Sequence, residues 1–149
     1  MKRLLALVLA VLLTGCATTG RDRAVNAHIA DVSITAAALA LLPVIELNPL
    51  GPIIPLLKYA EIKAIEAEPE ATVRAELYIK SAAFTNSANA NNVCVFVTMN
   101  PGCLVVGVIY GFYDYHQNMQ PEKFYEVFCE EWKKEKEGNT CAPFNKESQ

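Results

Sequence analysis

The chain has 149 residues, with 13 basic and 16 acidic side chains, five cysteines and a net charge of −3 at pH 7. That length suits one domain with a core of its own. An acidic chain without a basic cluster argues against nucleic-acid binding and against attachment to anionic lipid by charge. No Ser–His–Asp signature, nucleophile elbow, phosphate loop or paired-carboxylate motif is present, so the sequence nominates no catalytic residue.

The chain opens on Met1-Lys2-Arg3, continues through the apolar run Leu4 to Leu13 and reaches Thr14-Gly15-Cys16. Two cations, a short apolar run and a small-residue cleavage site make a secretion signal, and the run is shorter than the roughly twenty residues a spanning helix needs. Leu13-Thr14-Gly15-Cys16 resembles the lipobox of bacterial lipoproteins. The resemblance implies cleavage between Gly15 and Cys16, with a covalent lipid on Cys16. Ala17, where an Asp often retains enterobacterial lipoproteins at the inner membrane, implies the outer membrane, with the domain facing the periplasm. Two or three acyl chains hold a protein firmly without a spanning segment. The expected organisation is therefore a signal at 1–15, a lipid-anchored tether at 16–23 and one domain at 24–149. The mature chain has 134 residues and a net charge of −5, from 11 basic and 16 acidic side chains.

Cys94, Cys103, Cys129 and Cys141 remain, an even number that reads as two disulfides in an oxidising compartment. Sequence proximity favours Cys94–Cys103 and Cys129–Cys141 among the three possible pairings. With only His28 and His116 available and no CxxC pair, no metal site is expected, and no cofactor beyond the lipid on Cys16.

The abundant alanine of Arg23 to Leu42 predicts a first helix, ended near Pro43. A second runs from Ile53 to Ala67 behind Pro52, with Ile54, Leu57, Ile62 and Ile65 near one face. Residues 70–86 carry two patterns. Val73, Ala75, Leu77 and Ile79 alternate as in a strand, whereas Glu70–Arg74 and Glu76–Lys80 are spaced as helical ion pairs, and the flanking Ala and Glu favour helix. Asn86 to Asn92 reads as a polar loop. Beyond it, either a hairpin turns at Pro101-Gly102, which would forbid a Cys94–Cys103 bridge, or Asn100 caps a helix from Pro101 to His116. The helix is preferred. A last helix opens at Pro121 with Phe124, Val127, Phe128 and Trp132 in one stripe and stops at Gly138. The fold class is thus mostly α, a bundle of about four helices with two disulfides, the alternative being α+β with a hairpin at 93–110.

Three features invite a functional reading. Asp31 and Thr35 lie one turn apart on an apolar segment, and a buried carboxylate needs a partner such as Lys58 or His28. Gly107 and Gly111 form a GxxxG, which serves helix association in a membrane or a dimer, or close packing within the domain. Tyr110, Phe112, Tyr113, Tyr115 and His116 cluster near Asp114, as a ligand surface, a membrane-interface belt or, the preferred reading, the end of a core helix.

Asp31, Thr35, Glu46, Asn48, Pro49 and Lys58 together resemble the Asp-x3-Thr…Glu-x-Asn-Pro…Lys pattern of an uncharacterised family of small bacterial membrane proteins. The resemblance covers about 30 residues. It implies a four-helix bundle but no settled activity; Asp31, Thr35, Glu46, Asn48 and Lys58 make the candidate polar site. The chain departs from that family in its lipobox, its disulfides and the Lys58, Glu61, Lys63 and Glu66 of its second helix. Four ionisable groups make spanning costly, so a water-soluble bundle on a lipid anchor is expected. The expected role is non-catalytic and accessory, toward another envelope protein. The alternatives are an inhibitor or immunity-type lipoprotein, a small periplasmic enzyme or ligand-binding protein using Asp31, Glu46 or His116, and entry of the 93–113 segment into a membrane.

Overall fold

The computed structural model describes residues 20–41, 53–98, 100, 102–136 and 141. They form five α-helices in chain order: α1 (Gly20–Leu41), α2 (Ile54–Glu66), α3 (Ala71–Thr98), α4 (Cys103–Asn118) and α5 (Pro121–Glu135), with no strand among the described residues. The 28-residue α3, about 42 Å long at 1.5 Å per residue, is the spine. Helices α1, α4 and α5 pack along it, and α2 bridges α1 and α3 more lightly.

Helix α1 starts at Gly20, so the last part of the expected tether is helical and docked. Gly20 sits against Val127 of α5, Arg21 pairs with Glu66 of α2 at 2.8 Å, and Arg23 pairs with Asp114 of α4. Helix α2 has Pro55 in its first turn, where a missing N–H costs nothing, and buries Ile62 and Ile65. The expected apolar face is only half realised, because Leu57 points to solvent.

The largest departure from expectation is α3. It runs unbroken through Asn86–Asn92 and the β-branched stretch beyond, so there is neither a polar loop nor a hairpin. The asparagines explain this. Asn86 Nδ2 donates to Asp114 Oδ2 at 3.0 Å, Asn89 Nδ2 to the Ala27 carbonyl at 3.1 Å and Asn92 Nδ2 to Asp31 Oδ1 at 3.3 Å. Side chains that disfavour helices by competing for local backbone groups are here engaged by neighbouring helices. Arg74 also departs from its expected local pair: it is buried and binds Glu131 of α5 at 2.7 Å and Glu135 at 2.6 Å. The Lys80–Glu76 pair forms as expected, at 2.5 Å.

The Cys94–Cys103 disulfide joins the end of α3 to the start of α4, and Cys129–Cys141 pins the tail to α5. Between α3 and α4, Asn100 Oδ1 accepts from the Gly102 N–H at 2.8 Å, and the Asn100 carbonyl accepts from the Cys103 N–H at 3.2 Å. Helix α4 therefore begins two residues later than Pro101. Ala24, Ile62, Ile65, Tyr78 and Ala82 form one apolar core cluster, with Val25 and Leu77 against it, and buried alanines such as Ala27, Ala75 and Ala83 let the helices approach closely. Burial of the Tyr78 hydroxyl, with the charges of Glu131 and Glu66, pushes its pKa up to about 12. On α5, Phe124, Val127, Phe128 and Trp132 are only half-buried, whereas Glu131 is 2% exposed.

Candidate functional site

The polar groups expected near Asp31 converge where α1, α2 and α3 meet. Lys58 Nζ on α2 binds Asp31 Oδ2 at 2.8 Å, and Asn92 supplies Asp31 with a second donor. Lys58 Nζ also lies 3.3 Å from His28 Nδ1, and the Thr85 hydroxyl lies 3.2 Å from the same nitrogen. His28 Nε2 is 3.0 Å from Ser81 Oγ, which donates to Glu61 Oε1 at 2.6 Å. Asp31, His28, Ser81 and Thr85 are all buried, while Glu61 reaches solvent. Unpaired, such groups would cost several kcal/mol each; here every one has a partner.

The directions of these bonds fix the chemistry. Ser81 spends its proton on Glu61, so it accepts from His28 Nε2–H. His28 Nδ1 then accepts from Lys58 or Thr85, and the imidazole is neutral. Desolvation first, then the adjacent Lys58 charge, holds the His28 pKa below its ordinary value of 6.5, against the opposing pull of Glu61 and Asp31. A serine nucleophile needs the reverse arrangement, with the hydroxyl donating to the imidazole and an acid on the far nitrogen. The cluster thus forms a closed ionic and hydrogen-bonded seam between helices.

Above this seam, α1 and α2 enclose a groove of about 440 Å³ with His28 and Lys58 among its lining residues. Val25, Ile29, Val32, Pro55, Tyr59 and Ile62 line it with apolar surface; Arg21, Lys63 and Glu66 bring charge to it. Lys63 and Arg21 both hydrogen-bond Glu66, at 2.6 and 2.9 Å, and hold its carboxyl below the usual range.

Of the residues singled out from sequence, Asp31 and Lys58 are brought together. Thr35 is half-buried one turn further along α1 and joins none of these bonds. Glu46 and Asn48 lie outside the described residues, as does Cys16. His28 is a neighbour of the Asp31–Lys58 pair rather than its counter-charge. Ser81, Thr85 and Glu61 were missed because nothing in their local sequence marks them; only the crossing of three helices joins them. Neither described groove gathers Asp31 with His116, and no three His, Cys, Asp or Glu side chains converge as metal ligands among the described residues.

A second surface corrects another expectation. Tyr110, Phe112 and Tyr113 do not end a core helix. Phe112 is 72% exposed, and Leu104, Val105, Val108 and Ile109 on the same helix are exposed as well. The buried positions of α4 are Cys103, Gly107 and Asp114. The GxxxG packs inside the chain: a Cβ on Gly107 would meet the Ser87 carbonyl oxygen at 2.7 Å, and one on Gly111 would meet Ser87 Cβ at 2.6 Å. Ser87 Oγ donates to the Gly107 carbonyl at 2.8 Å. No helix among the described residues is long and apolar enough to cross a membrane.

No known protein family, curated protein or solved structure matches the chain.

Proposed function

We propose that the chain is a lipid-anchored envelope protein that binds another envelope protein, in a non-catalytic accessory role, through the groove between α1 and α2. The groove carries this reading. Its apolar walls and its charges of both signs at Arg21, Lys63 and Glu66 match the apolar centre and polar rim of protein interfaces. The exposed Tyr59 ring, with Lys63 Nζ 5.8 Å from its centroid, is the kind of rigid aromatic group on which binding energy concentrates. The internally satisfied seam beneath offers a firm floor and no poised nucleophile. Anchoring rests on Leu13-Thr14-Gly15-Cys16, and the periplasmic face of the outer membrane on Ala17.

A photo-crosslinking residue placed at Tyr59 tests the reading in intact cells. One dominant envelope protein joined at position 59, and not at the exposed Lys123 of α5, is the expected result. Equal products from both positions, or none at 59, would refute it. Mass analysis of the N-terminal peptide reads the anchor separately: an acylated Cys16 as the first residue is expected.

A further inference from the structure

Helix α4 has the opposite polarity from a helix of a water-soluble bundle. Its inward face is made of Cys103, Gly107, Gly111 and Asp114, set against Ala83, Ser87 and Asn91 of α3 and hydrogen-bonded through Asn86. Its outward face carries Leu104, Val105, Val108, Ile109, Phe112 and Tyr113, all exposed. A helix in water buries its large apolar side chains and exposes its polar ones. Small residues between helices and large apolar ones outside are the arrangement of helices surrounded by lipid.

Two further observations choose among occupants. The sixteen residues of α4 include one Asp and no Glu, Lys or Arg, and that Asp114 is buried against Arg23 and Asn86. The face therefore lacks the charged rim that borders the α1–α2 groove. Phe84 of α3, 79% exposed, extends it, and a recess of about 410 Å³ lined by Phe84, Val108, Gly111 and Phe112 has Lys80 as its one cation. The second observation is position. Arg23, in the first turn of α1, is bonded to Asp114 and Asn118 in the last turns of α4. Cys16 stands four residues before Gly20, a reach of at most about 14 Å, enough to cross the width of one helix. An acylated Cys16 would enter the bilayer beside the Tyr-rich end of α4, and the helix, about 24 Å long, extends away from that point.

We infer that the outward face of α4 lies on the lipid bilayer, its aliphatic side chains at the acyl boundary and its tyrosines at headgroup level, as a second membrane contact beside the lipid anchor. Helices placed this way sink their apolar face about 5–10 Å into the boundary, and Tyr side chains prefer the interface. The inference rests on the lipid-anchored reading for the position of the membrane. It orients the bundle so that α4 faces lipid.

The full-length, processed protein is purified and reconstituted into phosphatidylethanolamine–phosphatidylglycerol vesicles whose acyl chains are brominated or plain. In a Trp132→Phe background, one variant carries Phe112→Trp and another Lys123→Trp on α5; circular dichroism confirms that both fold. Bromination is expected to lower the emission at position 112 at least two-fold and to leave position 123 within a tenth. Equal quenching at the two positions, or none at 112, would overturn the inference. So would crosslinks between copies through position 112 in place of quenching. Acylation of Cys16, read by mass, separates the two ideas. Acylated protein without quenching at 112 sinks the docked face and leaves the anchor standing; quenching at 112 without acylation sinks the anchor and upholds the face.

Discussion

Helices α4 and α5 are neighbours of similar length on one long helix, and they are held there by opposite means. Helix α5 brings charge inward: Glu131 is buried against Arg74, and Lys134 pairs with Glu131 from the surface side. Its aromatic stripe is only half covered. Helix α4 brings almost nothing inward except glycines, a disulfide cysteine and one aspartate, so its backbone approaches α3 closely and its large side chains are left outside. Apolar periodicity therefore did not decide which face of either helix is buried. Helix α4 turned inward the face that permits close approach, and α5 the one that satisfies a buried guanidinium.

The comparison breaks most sharply at Glu131. Glu131→Ala leaves Arg74 buried with Glu135 as its remaining side-chain partner, and the expected loss is about 3 kcal/mol, at the low end for breaking a buried pair. Urea unfolding measures it; a loss under about 1 kcal/mol, as for an exposed pair, would mean that the half-buried stripe holds α5 instead. On α4 the corresponding test is Gly107→Val. The new Cβ falls 2.7 Å from a backbone oxygen that cannot swing aside, so about 2 kcal/mol of overpacking is expected, despite the gain from removing a helical glycine. Val108→Thr on the outward face should stay within about 0.5 kcal/mol. Equal losses at 107 and 108 would erase the inside-out reading of α4.

A pH-dependent effect concerns the seam under α1, the third helix on the spine. Because the His28 pKa is lowered in the fold, the unfolded chain binds the extra proton first as pH falls below about 6.5. Stability should therefore decrease between 6.5 and the folded value, with a slope from this group of at most about 1.4 kcal/mol per pH unit. The His28 ring resonances followed by NMR should titrate below 6.5, and His28→Gln should flatten the slope. A ring titrating above 6.5 would place a charged imidazole in the seam and turn Nδ1 from an acceptor into a donor toward Thr85, leaving the bonds at Ser81 as assigned.

How far the chain could be read from its residues depended on the range of the forces involved. Helix type was legible wherever local chemistry acts alone. Alanine content marks α1, the prolines mark the starts of α2 and α5, and the short spacings of the cysteines favoured the pairing that forms. The need of Asp31 for a partner was also foreseeable, because a buried carboxylate requires one, but the choice between Lys58 and His28 was left to the crossing of α1 and α2. The polar loop assigned to Asn86–Asn92 failed for the converse reason: Asp114, the Ala27 carbonyl and Asp31 are distant in sequence, and they satisfy those asparagines in the helical form.

From its residues the chain was legible as a mostly α-helical fold with two disulfides, and Asp31 as a carboxylate in need of a partner, because turn chemistry, propensity and charge pairing act within a few residues or between complementary groups. Only the tertiary structure decided that α3 runs unbroken, that Arg74 meets Glu131, and that His28, Ser81 and Glu61 form one seam. It also decided that α4 turns its glycines inward and its large apolar side chains out, since whether a face is buried depends on which other helix lies against it.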